Sequence, residues 1–263
     1  MSFPSKIICL TEETVETLYL LGRSDLIQGV SKFVERPPEA KTNHPMVSQF
    51  VRSDIEGIIN LKPDLVIGFS DIQKDIAKEL IAQGLNVLVT NQRTLQQILD
   101  QILFLGRIIS EEAKAKKLVE EFSSKLDYYR EKCRNKPRVK VYFEEWDRPK
   151  ISCIQWVSEL IEAVGGENIF QNKSGSLATE RFVTDEEVVS LNPDVIIGCW
   201  CGKKVNLESF TSRVGYKQIR AIQLGQVFEV SPAIFLQPGP ALFVDGLRQM
   251  SELLEKVSLA LDV

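Results

Sequence analysis

Three acidic side chains in one short stretch could support acid–base chemistry. Glu144, Glu145 and Asp147 follow an apolar strand-like run that begins at Val139. Two carboxyl groups can donate and accept a proton when their positions and pKa values suit the reaction. Adjacent residues of a strand point to opposite faces, so at most Glu145 and Asp147 share a side. Acid–base catalysis is therefore one hypothesis that the sequence leaves open.

A second stretch, Cys199-Trp200-Cys201, directly follows another apolar strand-like run. Loops at such strand ends carry ligand contacts in α/β folds, and Trp200 suits the wall of a cleft. The C-x-C spacing is a weaker metal or redox signature than C-x-x-C. The simpler interpretation is that the two cysteines are small, half-buried apolar residues on either side of an indole. His44 is the only histidine in the sequence. A metal site built from several histidines is therefore excluded, and we predict no metal site.

Composition and missing motifs argue against several other classes of protein. The net charge of −4 argues against a nucleic-acid partner, which needs a basic face. The sequence has no G-x-G-x-x-G after a strand, so a dinucleotide cofactor is not expected, and we predict no cofactor. It also lacks the G-x-x-x-x-G-K-[ST] motif of NTPases and the G-x-S-x-G nucleophile elbow. The five cysteines are irregularly spaced, which indicates a reducing compartment rather than a disulfide framework.

The chain alternates short apolar strands with amphipathic helices, which is typical of a parallel α/β sheet. Leu-Lys-Pro-Asp-Leu-Val-Ile-Gly at 61–68 is echoed by Leu-Asn-Pro-Asp-Val-Ile-Ile-Gly at 191–198. In each copy proline ends a helix and aspartate precedes a buried strand. The echo indicates a duplicated α/β unit. The segment 31–52, which contains three prolines, is expected to be irregular, and a last helix is expected over 240–261.

One long helix without a breaker separates the two copies. It spans 110–136 before Pro137, and Ser110 is the expected N-cap. At 1.5 Å per residue, its helical part would extend for about 35 Å. The predicted fold is α/β, with two Rossmann-like lobes that contain parallel sheets. The predicted domains are an N-terminal lobe at 1–109, a connecting helix at 110–136 and a C-terminal lobe at 137–263.

Several motifs along nearly the whole chain carry a family likeness. They are the strand-to-helix segment 11–22 with Glu16 and Gly22, the repeat at 61–68, Tyr-Phe-Glu-Glu-Trp-Asp-Arg-Pro at 142–149, the helix and paired glycines at 156–168, and Gln-Pro-Gly-Pro at 237–240 before Val-Asp-Gly-Leu at 244–247. With these motifs the chain resembles the helical-backbone class (class III) of periplasmic binding proteins. The likeness is strongest to the cobalamin- and iron-chelate-binding branch that serves ABC importers.

The resemblance implies a protein that clasps a small molecule between two lobes without chemistry, and therefore not an enzyme. It implies an ABC permease as partner, with Asp75 at about the first acidic docking position of the family. We expect a monomer that binds no nucleic acid.

The resemblance also implies that ligand contacts come from the loops after the strands. The expected contacts are Thr11, Glu13, Phe33, Glu35, Phe50, Phe69, Ser70, Glu145, Trp146, Trp200, Cys201, Phe235 and Gln237. An aromatic lining with scattered polar groups suits a large flat ligand such as cobalamin or another corrinoid, with an iron chelate as a second choice.

The first residues lack a basic segment followed by an apolar one, so the sequence as written predicts a cytoplasmic protein. A chain trimmed of its leader would read the same and would be periplasmic or attached to the cell surface. A cytosolic corrinoid carrier or sensor without a transporter is therefore an alternative. An enzyme that uses the carboxylates after Phe143 is less favoured.

Overall fold

The structure is a computed structural model that describes residues 4–173 and 175–261. The chain forms two compact units. The first unit comprises Met1–Gln92, Gln96–Glu121 and Gly239–Ala241, and the second comprises Arg93–Leu95, Phe122–Pro238 and Leu242–Val263. The segment predicted to connect two lobes thus contributes residues to both units. Residues 1–3 and 262–263, at the ends of the predicted lobes, lie outside the described range.

The first unit contains a sheet that is six-stranded within the described residues. Its strands are β1 (Ile7–Cys9), β2 (Ile27–Ser31), β3 (Met46–Gln49), β4 (Arg52–Ser53), β5 (Leu65–Phe69) and β6 (Val87–Thr90). Their order is β4-β3-β2-β1-β5-β6, and every pair is parallel except β3 with β4. Ile8 and Val66 of this sheet pack with Ile58 and Leu80 of its helices into a core, and all four side chains are fully buried.

The second unit contains a five-stranded sheet in the described part of the chain. Its strands are β7 (Val139–Asp147), β8 (Lys150–Ser152), β9 (Gly166–Asn168), β10 (Val195–Gly198) and β11 (Val227–Glu229). The order is β11-β10-β7-β8, and β9 pairs with the first half of β7. Parallel pairing predominates, and only the hairpin of β7 with β8 is antiparallel among these pairs. The two-unit α/β prediction is confirmed.

Helices connect the strands in both units. They are α1 (Glu12–Leu20), α2 (Ala40–Asn43), α3 (Ile55–Asn60), α4 (Lys74–Ala82), α5 (Leu95–Ile108), α6 (Glu112–Cys133), α7 (Gln155–Ala163), α8 (Asp185–Leu191), α9 (Leu207–Thr211), α10 (Arg220–Gln223), α11 (Pro232–Phe235) and α12 (Leu247–Leu261). Single 3₁₀ turns lie at Ser24–Leu26, Asp71–Gln73, Gln171–Lys173, Ala178–Arg181 and Tyr216–Gln218. The last helix is not uniform, because a π-helical turn at Leu242–Gly246 precedes α12.

Ser110 does not cap the long helix as the sequence predicted. Its φ is 61°, in the left-handed region, whereas an N-cap residue is extended. The N–H of Glu111 donates to the carbonyl of Gly106 at 2.7 Å, and the N–H of Ser110 donates to that of Arg107 at 3.3 Å. This pattern terminates a helix with a left-handed residue. Ser110 therefore ends α5, and α6 begins two residues later.

The segment 31–52 is also more regular than predicted, because it contains α2 and β3 and reaches the start of β4. The strands β3 and β4 have four and two residues, too few for a clear period in the sequence. Val47 is buried while Met46 is 55% exposed, as expected of a short strand near the edge of a sheet.

The two repeat copies adopt the same local structure. Each follows a short helix, and the second residue of each is left-handed, with φ of 49° at Lys62 and 46° at Asn192. The aspartate of each copy then accepts a hydrogen bond from an N–H at the start of the neighbouring strand, just before its first residue in one copy and at its second residue in the other. Asp64 accepts from Lys6 at 3.0 Å, and Asp194 accepts from Lys140 at 2.9 Å. The aspartate, which has the same place in both copies, thus links the start of its own strand to the neighbouring parallel strand.

The glycines that end the two copies are also equivalent. A Cβ at Gly68 would lie 2.8 Å from Oε1 of Gln73, and a Cβ at Gly198 would lie 2.6 Å from Cγ1 of Val205. These distances are shorter than van der Waals contact allows. Each glycine therefore permits a side chain to pack across the end of its strand.

Loss of Asp194 should destabilise the second unit. Asp194 is 8% exposed, and it also accepts a hydrogen bond from Arg220 at 3.1 Å. We expect Asp194→Ala to lower the free energy of unfolding by about 2 kcal/mol, since the N–H of Lys140 and the guanidinium of Arg220 both lose an acceptor. Urea unfolding measures this. Asp127→Ala, at an exposed site on α6, is the control, and an equal effect of the two would contradict the assignment.

Candidate functional site

The first sheet reverses its strand order between β1 and β5, and in open α/β sheets ligands bind outside the carboxyl ends of the strands at such a point. The side chain of Gln73 bridges the two strands at this point. Its Nε2 donates to the carbonyl of Leu10 at 3.3 Å, and its Oε1 accepts from the N–H of Phe69 at 2.9 Å. The side chain is fully buried. It therefore joins the ends of the two strands and leaves Thr11 and Ser70 next to the junction.

Two adjacent carboxyl groups are buried at the start of α1. Glu12 and Glu13 are each 4% exposed. The hydroxyl of Thr11 donates to Oε1 of Glu13 at 2.6 Å, and the N–H of Glu35 donates to the carboxylate of Glu12. Within the described residues, Oε1 of Glu12 and Oε2 of Glu13 have no hydrogen-bond partner. A pair of acids with unpaired buried oxygen atoms thus lies at the carboxyl end of β1.

Burial raises the pKa of Glu12 to about 8, and the carboxylates of Glu16, Glu35 and Glu13 add to the rise, while the N–H of Glu35 opposes it. Burial likewise raises the pKa of Glu13 to about 7 against the hydrogen bond from Thr11. A desolvated carboxylate is costly, so the proton is retained. At neutral pH, Glu12 is therefore mostly a neutral acid, and Glu13 titrates near this pH.

The other predicted contacts in the first unit divide into exposed and buried groups. Phe33 is 49% exposed, Glu35 is exposed and Phe50 is partly exposed. Phe69 and Ser70 are 5% and 2% exposed. Ser70 has a φ of 56°, and its hydroxyl accepts from the N–H of Ile72 at 3.3 Å. Phe33 and Phe50 are thus the accessible aromatic rings, and Ser70 shapes the turn after β5.

Asp75, the predicted docking residue, is exposed in the first turn of α4. A carboxylate at a helix start is favoured by the helix dipole and remains available to a cationic partner. Its role in docking stays a prediction.

The second unit is built around the buried carboxylate of Glu144 in the second half of β7. Glu144 has no exposed surface. Both of its oxygen atoms accept from the guanidinium of Arg213. Oε2 also accepts from the hydroxyl of Tyr142 at 2.7 Å, and Oε1 accepts from Nε1 of Trp200 at 3.1 Å. Burial, with the nearby Glu144 charge, raises the pKa of Tyr142 well above its usual value, so its hydroxyl stays a donor.

The next residues of β7 form a more accessible surface. Glu145 is ion-paired with Arg181, which is 3% exposed. Asp147 accepts from Nζ of Lys203 at 2.6 Å. The same Nζ lies 4.3 Å from the ring centroid of Trp146 and 4.7 Å from that of Trp200. Trp146, Trp200, Asp147 and Lys203 therefore form one cluster, which we call the indole cluster. Within it Trp146 is partly buried, and Trp200 is only 3% exposed and packs into the core of the second unit.

The three carboxylates proposed for acid–base chemistry each have their own cation. Glu144 pairs with Arg213, Glu145 with Arg181 and Asp147 with Lys203. Each carboxylate is thus held in place against a cation, an arrangement that suits a structural role.

The cysteines of Cys199-Trp200-Cys201 lie in different environments. Cys199 is buried, and burial raises the pKa of its thiol well above the usual value, whereas Cys201 is exposed. All five cysteines lie within the described residues, and each is a free thiol. Among residues 4–173 and 175–261, no group of three or more His, Cys, Asp or Glu side chains is arranged to hold a metal ion.

Phe235 is placed apart from the indole cluster. It is fully buried, its ring centroid lies 6.4 Å from that of Phe143, and its carbonyl accepts from Nε1 of Trp156 at 2.9 Å. Phe143 alternates with Tyr142 and Glu144 on β7, so Phe235 packs on the opposite face of the strand. Gln237 is partly exposed just beyond it.

Sequence reasoning missed Gln73, Arg181, Lys203 and Arg213. None lies in a repeat or a motif. Arg213 reaches Glu144 from 69 residues away, a separation at which no periodic pattern connects two positions. A buried acid on a strand does signal that a cation must be supplied, but not from which segment.

The family model for periplasmic binding proteins matches residues 7–233. The chain belongs to the periplasmic binding protein family. It is 28% identical over 259 residues to an uncharacterized ABC transporter substrate-binding lipoprotein, YvrC, from Bacillus subtilis, an alignment that covers 95% of this chain and 79% of the relative. It is 26% identical over 253 residues to the vitamin B12-binding protein of Vibrio cholerae, covering 94% and 88%.

Solved structures share the fold. The periplasmic heme-binding protein RhuT from Roseiflexus superposes with a TM-score of 0.81 at 18% identity, over 97% of this chain and 98% of that one. In the part of the chain that the structure describes, no helix is both long and apolar enough to cross a membrane.

The buried acids should make stability fall as pH rises. Glu13 has an ordinary pKa of 4.5 when unfolded and about 7 when folded, so its contribution is full below 4.5 and is lost as pH rises through 7. We expect Glu13→Gln to be more stable than wild type at pH 8.5, on the order of 2 kcal/mol, and to lose that advantage at pH 4.5. Urea unfolding at both pH values, with the exposed Glu39→Gln as control, measures this. A pH-independent difference would contradict it.

The Glu144–Arg213 pair should be essential to the second unit. Arg213→Met leaves a buried carboxylate without its cation, and we expect a loss of about 3–5 kcal/mol in unfolding free energy. The double variant Glu144→Gln with Arg213→Met should lose much less, because no charge is left buried. Arg134→Met, which removes an exposed pair with Glu131, is the control. Equal losses in the single and double variants would contradict the assignment.

Proposed function

We propose that this chain is the substrate-binding component of an ABC importer and that its ligand is a corrinoid, with cobalamin as the first candidate. The observation that carries the proposal is the 26% identity to a vitamin B12-binding protein, which extends over 94% of the chain. The chain binds its ligand without chemical conversion. The pairing of Glu144, Glu145 and Asp147 with cations supports a binding role.

Aromatic side chains at the carboxyl ends of the strands support a flat ligand. Phe33 and Phe50 follow β2 and β3 of the first unit, and Trp146 and Trp200 lie at the ends of β7 and β10 of the second. Aromatic faces cover large apolar surfaces at a low cost in side-chain entropy. We propose that these rings contact the faces of the corrinoid.

An iron chelate such as heme is the second candidate. The structural likeness to a heme-binding protein favours it, but at 18% identity that likeness reflects the fold alone. Corrinoid therefore ranks first.

The partner we propose is an ABC permease, which the exposed carboxylate of Asp75 helps to dock. Importers receive their ligands on the outer side of the membrane, so we propose that the chain works there. The similarity to a protein named as a lipoprotein supports this location over a cytosolic carrier.

A thermal-shift screen tests the ligand. Cyanocobalamin at 100 times its Kd should stabilise the folded state by about 2.7 kcal/mol and raise Tm by about 5–10 °C. Hemin and a ferric hydroxamate are the comparison ligands. A larger shift with hemin than with cyanocobalamin would favour the second candidate, and no shift with any of the three would overturn both.

Truncation of an exposed ring tests the surface. Phe33→Ala should weaken cyanocobalamin binding about tenfold, because a stacked aromatic contact contributes about 1 kcal/mol or more. Phe104→Ala removes a similarly exposed ring from α5 and should leave affinity unchanged. Titration calorimetry measures both. Equal affinities of the two variants would remove Phe33 from the site.

A further inference from the structure

The indole cluster contains a cation beside two of the rings that we propose as ligand contacts. Nζ of Lys203 lies 4.3 Å from the ring centroid of Trp146 and 4.7 Å from that of Trp200, and 2.6 Å from Oδ1 of Asp147. An ammonium group within about 6 Å of an indole face is attracted by the ring quadrupole. Lys203 is therefore held by two rings and one carboxylate at once.

Both rings are fixed by their own N–H groups. Nε1 of Trp200 donates to the buried Glu144, and Nε1 of Trp146 donates to the carbonyl of Arg148 at 3.0 Å. Glu144 is in turn bound to Arg213. The indoles cannot turn to meet a ligand without breaking these hydrogen bonds.

The backbone on either side of Lys203 is anchored as well. The N–H of Cys199 donates to the carbonyl of Glu144 at 2.9 Å, and the N–H of Val205 donates to Oε1 of Glu229 at 2.8 Å. The Lys203 side chain itself is 40% exposed. Its long flexible stem can swing into solvent while the loop stays in place. The lysine is thus the movable member of the cluster.

We propose that Lys203 is a latch that covers the faces of Trp146 and Trp200, held by Asp147, and that an uncharged flat ligand must displace it in order to stack there. The proposal rests on the proposed function, since it concerns access to the same surface. The latch keeps two large rings covered when no ligand is present, and it lowers affinity by the free energy of its own contacts. If Lys203 instead contacts the ligand, its removal must weaken binding.

The test compares binding of cyanocobalamin by wild type, Lys203→Ala and Lys204→Ala. Lys204 is the neighbouring exposed lysine and serves as the matched control. We expect Lys203→Ala to bind about tenfold tighter, because the contacts that the ligand must break are absent. Asp147→Asn should shift affinity in the same direction by a smaller factor. Unchanged or weaker binding by Lys203→Ala would overturn the latch.

Salt gives a second readout in the same titrations. Ions screen the partly exposed Lys203–Asp147 pair, so the affinity of wild type for uncharged cyanocobalamin should rise between 50 mM and 500 mM NaCl. This rise should disappear in Lys203→Ala and persist in Lys204→Ala. A rise of the same size in all three proteins would overturn the latch, because it would come from the hydrophobic contribution alone.

A measurement without ligand separates the latch from the choice of ligand. The chain has three tryptophans, and the indole N–H of Trp156 is bound to Phe235 away from the cluster. In ¹⁵N-labelled apo protein, Lys203→Ala should shift the indole resonances of Trp146 and Trp200 and leave that of Trp156 unchanged. No shift would overturn the latch. A shift together with no cyanocobalamin binding by wild type or Lys203→Ala would support the covered indoles and overturn the proposed corrinoid.

Discussion

The second unit depends on the neutralisation of one fully buried carboxylate. An unpaired charge in the interior costs several kcal/mol, so Glu144 requires a cation and enough donors for both oxygen atoms. Arg213 provides the cation, and Tyr142 and Trp200 provide the remaining donors. These partners come from β7, from the end of β10 and from the segment after α9. One ion pair therefore fixes the relative positions of three parts of the unit.

That interaction also explains why the indole cluster combines rigid and movable members. Nε1 of Trp200 donates to Glu144, so the ring is oriented without a ligand, which would reduce the entropy lost in the binding that we propose. Lys203 is held by an ion pair with Asp147 and by cation–π contacts with two indole rings, and each of these contacts is weak. The strong hydrogen bond to Glu144 thus orients the Trp200 ring, whereas weak contacts hold Lys203 over it.

The sequence predicted the architecture because its strongest signals are local. Strands such as Val195–Gly198 are buried on both faces and read as unbroken apolar runs, and the repeated Pro-Asp pair marks their starts. Ser110 was misjudged because serine is a good N-cap, yet here the chain needed a left-handed residue between α5 and α6. Arg213 and Lys203 could not be predicted, because their partners are set by tertiary packing over long separations.

The buried acids at the two sheets are accommodated in opposite ways, and the difference affects which of them can donate a hydrogen bond. Glu144 is paired with Arg213, whereas within the described residues Oε1 of Glu12 and Oε2 of Glu13, at the end of β1, have no hydrogen-bond partner. Desolvation without a cation favours the protonated acid, as the raised pKa values of Glu12 and Glu13 reflect. A neutral carboxyl group can donate a hydrogen bond, which a carboxylate cannot. Glu12, mostly a neutral acid at neutral pH, can therefore act as a hydrogen-bond donor at the carboxyl end of β1.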